Sequence, residues 1–240
     1  MESVLCGEVL ASTSDIAVGE CLDKIARVVL PPQLLQTAKS TMYGALLEDF
    51  AFSHNPGFEP AKSARKPGIE TSGEAKYFLE DSTATEYQAM YSGRYEYAVP
   101  KNHEVALLQN TTKWGWAFNQ PLQKAGGGLK NKSMEMSFSG LMTSVEKEVR
   151  FQRDKTSGKR TKLERPPDDL TLEERKDMAR EAMRAAFEHV ASRVVLGLQR
   201  LSTASRELSM APTVVMSGGV AANSYLRFMC GLSSTEIVAY

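Results

Sequence analysis

Toward the end of the chain an apolar run, Pro212-Thr213-Val214-Val215-Met216, meets Ser217-Gly218-Gly219 and then a segment of helical character beginning near Ala221. The run has the length and β-branched composition of a buried strand, and the paired glycines turn it sharply into the helix. A strand, a glycine turn and a helix start bring backbone N–H groups and the positive end of a helix dipole to one point. Such a point suits phosphates and nucleotide edges. A tight turn also needs glycine for purely structural reasons, so from these residues alone both readings stand.

Elsewhere the periodicity is mostly helical. Val4 to Leu10 reads as a short strand, and Ser12-Thr13-Ser14-Asp15 offers side-chain oxygens to cap the helix that follows. In that helix Val18, Leu22, Ile25 and Val29 form one apolar stripe, with Glu20, Asp23, Lys24 and Arg27 off it. Pro31-Pro32 ends it, and Leu35, Ala38, Met42, Ala45 and Leu46 predict a second helix reaching about Phe50. Met134 to Leu141 alternates like a strand and runs into a helix near Thr143 to Phe151. Thr171 and Glu174 make a capping box, after which Met178, Ala182, Ala185, His189, Val194, Leu198 and Leu201 trace a long helix with His189 toward the core or its rim.

The organisation expected is one incomplete domain over 1–240: a strand and two helices over 1–52, a variable polar insertion over 53–131 and a strand-helix-strand core over 132–240 that carries the glycine turn. In the insertion only Tyr95 to Val99 reads as a strand, and the alternating Trp114, Trp116 and Phe118 read as core or interface anchors ahead of base-stacking platforms.

Acidic and basic side chains balance at 29 each, so long-range attraction to nucleic acid rests on local clustering. Such a cluster exists: Lys147, Arg150, Arg153, Lys155, Lys159, Arg160, Lys162 and Arg165. With Thr156-Ser157-Gly158 inside it, the stretch reads either as a solvated flexible loop or as a phosphate-holding surface. Cys6, Cys21 and Cys230 form no C-x-x-C pair, and His54, His103 and His189 no i, i+4 pair, so no metal site is assigned. No apolar run approaches the roughly 20 residues of a membrane span.

Three segments in order resemble the tRNA N(6)-adenosine threonylcarbamoyltransferases, formerly called glycoproteases. Ser217-Gly218-Gly219-Val220-Ala221-Ala222-Asn223-Ser224-Tyr225-Leu226-Arg227 resembles the family's nucleotide-binding segment. Asp15-Ile16-Ala17-Val18-Gly19-Glu20-Cys21-Leu22-Asp23-Lys24 is similar to its Gly-Glu-x-x-Asp-Lys helix, and Ser137-Phe138-Ser139-Gly140-Leu141 to its Phe-Ser-Gly-Leu segment. The resemblance implies an α/β lobe of the actin/Hsp70-like (ASKHA, ribonuclease H-like) fold. It implies transfer of the threonylcarbamoyl group from threonylcarbamoyl-adenylate to the N(6) amine of the adenosine 3′ of the anticodon, with tRNA as acceptor. Asp23 and Asn223 would then contact the adenylate, Ser217, Gly218 and Gly219 would form the turn beneath it, and Glu20 would be a weaker contact; no residue is assigned a catalytic role.

The departures from that pattern set further expectations. The family's His-x-x-x-His pair and late Asp, which hold one divalent metal ion, and the Ser-Gly-Gly-His-Thr turn of its N-terminal lobe have no counterpart in this sequence. Met142 stands where many members have lysine. Together these imply a truncated form, inactive alone, for which a partner-binding lobe or another actin-like phosphotransferase is the alternative. Pro31-Pro32 in place of a Pro-Gly-Gly turn, with Asp15-Ile16-Ala17-Val18-Gly19, resembles the mitochondrial branch, the cytoplasm being the alternative. A homodimer or a partner subunit fits a half-cleft.

Overall fold

The computed structural model of the protein describes residues 8–38, 41–52, 103–122, 133–154, 156–204, 214–231 and 237–239. The strand expected over Val4 to Leu10 falls partly outside these, and residues 8–10 are irregular. Strand β1 is Ser12–Thr13, and helix α1 is Val18–Val29. The predicted stripe holds: Leu22, Ile25 and Val29 are buried, joined by Cys21 and Ala26. Leu30 and Pro31 leave the helical region of backbone space, so the two prolines end α1 as expected.

The single helix predicted up to Phe50 is broken into α2, Pro32–Thr37, and α3, Gly44–Phe52. The cause lies outside the segment. Asp23 Oδ1, on α1, accepts hydrogen bonds from the backbone N–H groups of Tyr43 at 2.6 Å and Gly44 at 3.1 Å, so a new helix starts where that acceptor stands. Met42, assigned to the buried stripe, is 76 % exposed as a result.

Within the polar insertion, α4 spans His103–Asn110, and Trp116 and Phe118 are buried with their rings stacked at 4.9 Å. The possible strand at Tyr95 to Val99 lies outside the described residues. Strand β2 is Glu135–Met136 and α5 is Ser139–Arg150, starting four residues ahead of the expected Thr143. Phe151–Arg153 and Arg160–Glu164 form β3 and β4, an antiparallel ribbon where a flexible loop was one expectation.

Helix α6, Leu172–Ala204, runs for 33 residues and is the post on which α1, α3, α5 and α7 pack. Only half of its capping box forms. Thr171 Oγ1 accepts from the Glu174 backbone N–H at 3.2 Å, whereas the Glu174 carboxylate turns to Trp116 Nε1 and to Arg165. Along α6 the residues Met178, Ala179, Ala182, Met183, Ala186 and Phe187 have no exposed surface. The run of alanines lets neighbouring helices approach closely, and each large apolar side chain so buried contributes roughly 1.5–3 kcal/mol. Strand β5, Val214–Met216, leads through a 3-10 turn at Gly219–Ala222 into α7, Ser224–Gly231, and pairs in parallel with β6, Ile237–Ala239. Tyr225 of α7 fills the core edge-on to both Phe52 and Phe187. Among the described residues no helix is long and apolar enough to cross a membrane.

Candidate functional site

The glycine turn is built as its residues require. Gly218 has φ +97°, a left-handed conformation that side chains with a Cβ rarely adopt. The Ala221 N–H closes onto the Gly218 carbonyl at 3.0 Å, and Asn223 N–H onto that of Val220 at 3.0 Å, which makes the short 3-10 turn. Ser217, Gly218 and Gly219 are exposed, and a Cβ placed on either glycine would meet nothing within 4 Å. Open space therefore lies above the turn. Neither glycine N–H is a donor in the backbone hydrogen bonds of the turn within the described residues.

Three segments distant in sequence meet at the N-terminal part of α1. Gly19 abuts the glycine turn: a Cβ there would stand 3.1 Å from Val220 Cγ2, so glycine permits the contact. Asp15, just ahead of α1, binds the third segment. Its Oδ2 accepts from Ser137 Oγ at 2.6 Å, Ser139 Oγ at 2.5 Å and Ser139 N–H at 3.1 Å, while Oδ1 accepts from Phe138 N–H at 2.9 Å and Ile16 N–H at 2.6 Å. The parallel pair β1–β2 continues the junction, with Ser12 opposite Glu135 and Thr13 opposite Met136.

Asp15 thus caps α5 and not, as its position suggested, α1, whose N-cap is Ala17 without a side-chain bond. Partial burial raises its pKa, but the hydrogen bonds from Ser137, Ser139, Phe138 and Ile16 outweigh that and hold the carboxyl well below its usual range. His189 supports the same junction from α6. Its Nε2 accepts from Ser137 N–H at 3.3 Å, its ring meets Phe138 edge-on, and its Nδ1 is buried without a hydrogen-bond partner among the described residues. Burial, then the Arg193 charge, push its pKa down to about 3 against the pull of Asp15, so the imidazole is neutral.

The residues expected to contact adenylate are placed as follows. Asp23 uses Oδ1 to cap α3, and Oδ2 carries no bond within the described residues. Asn223 is 7 % exposed and is the N-cap of α7, its Oδ1 accepting from Leu226 N–H at 3.0 Å. Glu20 is on the surface in an i, i+4 pair with Lys24 at 2.7 Å. Between the first two stands Glu48, a residue without a sequence signal: 3 % exposed on α3, it accepts from Tyr225 N–H at 2.9 Å and is the second acceptor at the N-terminus of α7. One turn of α3, about 6 Å, separates the N–H that Asp23 caps from Glu48. Asp23 and Asn223 are therefore linked through one short helix.

Among the described residues no group of three or more His, Cys, Asp or Glu side chains could hold a metal ion. Cys21 and Cys230 are buried free thiols, pushed up to about 12 and about 11 by burial, and both are inert at neutral pH. The described residues do not fit a metal centre.

The family model for TsaD, tRNA N6-adenosine threonylcarbamoyltransferase, matches residues 45–238. No curated protein matches the chain. The family match spans most of the sequence and includes two of the three converging segments: the chain belongs to the TsaD family, a family of transferases in tRNA threonylcarbamoyladenosine biosynthesis with an actin-like fold. The mixed helices and small sheets described above are consistent with an α/β lobe of that fold.

Proposed function

We propose that this chain binds the adenylate part of threonylcarbamoyl-adenylate at the junction of α1, the Ser137–Leu141 segment and the glycine turn, and serves transfer of the threonylcarbamoyl group to an adenosine N(6) of tRNA. One observation carries the reading: Asp15 and Gly19, on consecutive turns of one segment, bring the other two segments to the same end of α1. The backbone N–H groups of Gly218 and Gly219 suit a phosphate, and Asp23 Oδ2 and the Asn223 amide suit ribose hydroxyls and base edges.

The chemistry asks little of a protein nucleophile. The N(6) amine attacks the carbonyl carbon of a mixed anhydride, a C–N bond forms, the C–O bond to phosphate breaks, AMP leaves and the amine loses a proton. Because AMP is a good leaving group, positioning and stabilisation of the developing charge dominate. The mitochondrial placement belongs to this proposal and rests on the Asp15–Gly19 segment and Pro31-Pro32.

A transfer-inactive lobe that contacts a second copy or a partner subunit is the second reading. It is favoured by the commitment of Asp23 Oδ1 and Asn223 Oδ1 to helix caps. The deciding experiment incubates the chain with threonylcarbamoyl-adenylate and an unmodified tRNA transcript, then quantifies bound adenylate and, by mass spectrometry, the modified nucleoside. Adenylate binding by the chain, weakened about tenfold or more by Asp23→Asn, is expected if Asp23 Oδ2 contributes a charged hydrogen bond. Transfer by the chain alone is not expected, because the family's metal ligands and N-terminal-lobe turn have no counterpart in its sequence. Adenylate binding supports the proposed site, absence of binding refutes it, and retention of a full-length paralogue without adenylate binding supports the second reading.

A further inference from the structure

The basic stretch after α5 is folded, and its charges are sorted. Glu148, 5 % exposed at the end of α5, receives Arg153 in a two-point bond, both contacts at 2.9 Å, and Arg160 at 2.8 Å. One buried carboxylate thus ties β3 to β4 and both to α5. Arg165, just past β4, is held by Glu174 at 3.0 and 2.8 Å and by Asp169 at 3.1 Å, and its N–H donates to the Arg150 carbonyl at 2.8 Å. Arg150 itself takes Glu164. At the tip Asp154 accepts from Thr156 N–H and Ser157 N–H and Oγ, and Gly158 turns at φ +65°.

Two consequences follow from this arrangement. The acids are engaged inward or sideways: Glu148 and Glu174 are buried, Glu164 lies on Arg150 and Asp154 holds the turn. Two guanidiniums share Glu148, so the ribbon retains positive charge after its internal pairing. Lys147 on the last turn of α5, Lys159 at the tip and Lys162 in β4 are all exposed and form no ion pair within the described residues. Lysine is a flexible point charge suited to a phosphate, whereas the arginines here supply the planar geometry that fixes the ribbon. Lys162 lies within β4, and Lys159 immediately precedes that strand at the tip.

We infer that the β3–β4 ribbon is a docking site for the phosphate backbone of the acceptor tRNA, with Lys147, Lys159 and Lys162 as the contacting cations and the Glu148 pairs as its frame. The inference rests on the family reading that the substrate is tRNA, and it names a surface for that substrate apart from the adenylate junction. A two-stranded ribbon braced by a buried carboxylate fixes the backbone from which Lys159 and Lys162 reach, which lowers the ordering cost of binding.

The test measures binding of an unmodified tRNA transcript to the full chain at several salt concentrations, for the parent and for Lys147→Gln/Lys159→Gln/Lys162→Gln. Loss of three phosphate contacts makes the log affinity against log salt slope shallower by about 2 and lowers affinity at moderate salt by about tenfold or more. Adenylate binding, measured on the same preparations, is expected to be unchanged. A parental slope and affinity in the triple variant, or no tRNA binding by the parent at low salt, overturns the inference. If the lysine effect is present while adenylate does not bind, the ribbon stands and the adenylate site falls; the converse result separates them the other way.

Discussion

His189 is a neutral imidazole held in the core by a hydrogen bond accepted from Ser137 N–H, and its environment opposes protonation. In the unfolded chain it takes up a proton near its ordinary value of 6.5, while in the folded chain it does so only near about 3. Between those values the unfolded state binds more protons, so stability rises with pH and is lost as pH falls below about 6.5, by at most ~1.4 kcal/mol per pH unit. Asp15 acts in a lower window. Its depressed pKa contributes stability that is present above the unfolded value of 3.8 and disappears as pH falls further. Urea unfolding at pH 7, 5.5 and 4.5 is expected to show the parent losing stability relative to His189→Gln, whose amide can still accept from Ser137, as pH falls. The comparison separates His189 from neighbouring Glu188, whose carboxyl burial pushes up to about 8 and which acts with the opposite sign in both proteins. Parallel profiles for the two proteins would show that His189 titrates alike in both states.

The elements are joined by carboxylates placed on helix starts: Asp15 on α5, Asp23 on α3 and Glu48 on α7. Each pairs a negative charge with the positive end of a helix dipole and satisfies orphan N–H groups. Asp23→Ala is expected to lower stability by about 1 kcal/mol through the lost cap, while Asp23→Asn retains an acceptor and costs less. Equal losses in the two variants by thermal unfolding would show that the cap is electrostatic rather than a hydrogen bond. This layer explains what was legible beforehand. The stripes of α1 and the post helix α6 were readable because their partners lie at fixed local spacing. The break before α3 was not, because Asp23 imposes it from another helix, and β3–β4 was obscured by charges whose ordering depends on buried Glu148. Asp15 was visible as a capping residue, but local sequence pointed to the nearer helix, α1, and could not reveal that the carboxylate reaches across to Ser137–Ser139.

At the scale of the molecule, a 33-residue helix carries a shell of shorter helices, and the β1–β2 pair packs against it through β2. The resemblance to the TsaD family linked the three segments near Gly19, Ser139 and Gly218, and the structure brings them to one end of α1. How they meet was beyond reach of local spacing: it depends on one absent Cβ at Gly19 and one multiply bonded carboxylate at Asp15. A junction made this way behaves as one unit when it is occupied. Amide hydrogen exchange followed by mass spectrometry, with and without threonylcarbamoyl-adenylate, therefore tests whether the three segments form one adenylate site. Slower exchange is expected in peptides covering 15–24, 137–141 and 217–227 together, with the β3–β4 ribbon unchanged until tRNA is added. Protection confined to one of the three segments, or absent from all of them at saturating adenylate, would contradict a site shared by the three.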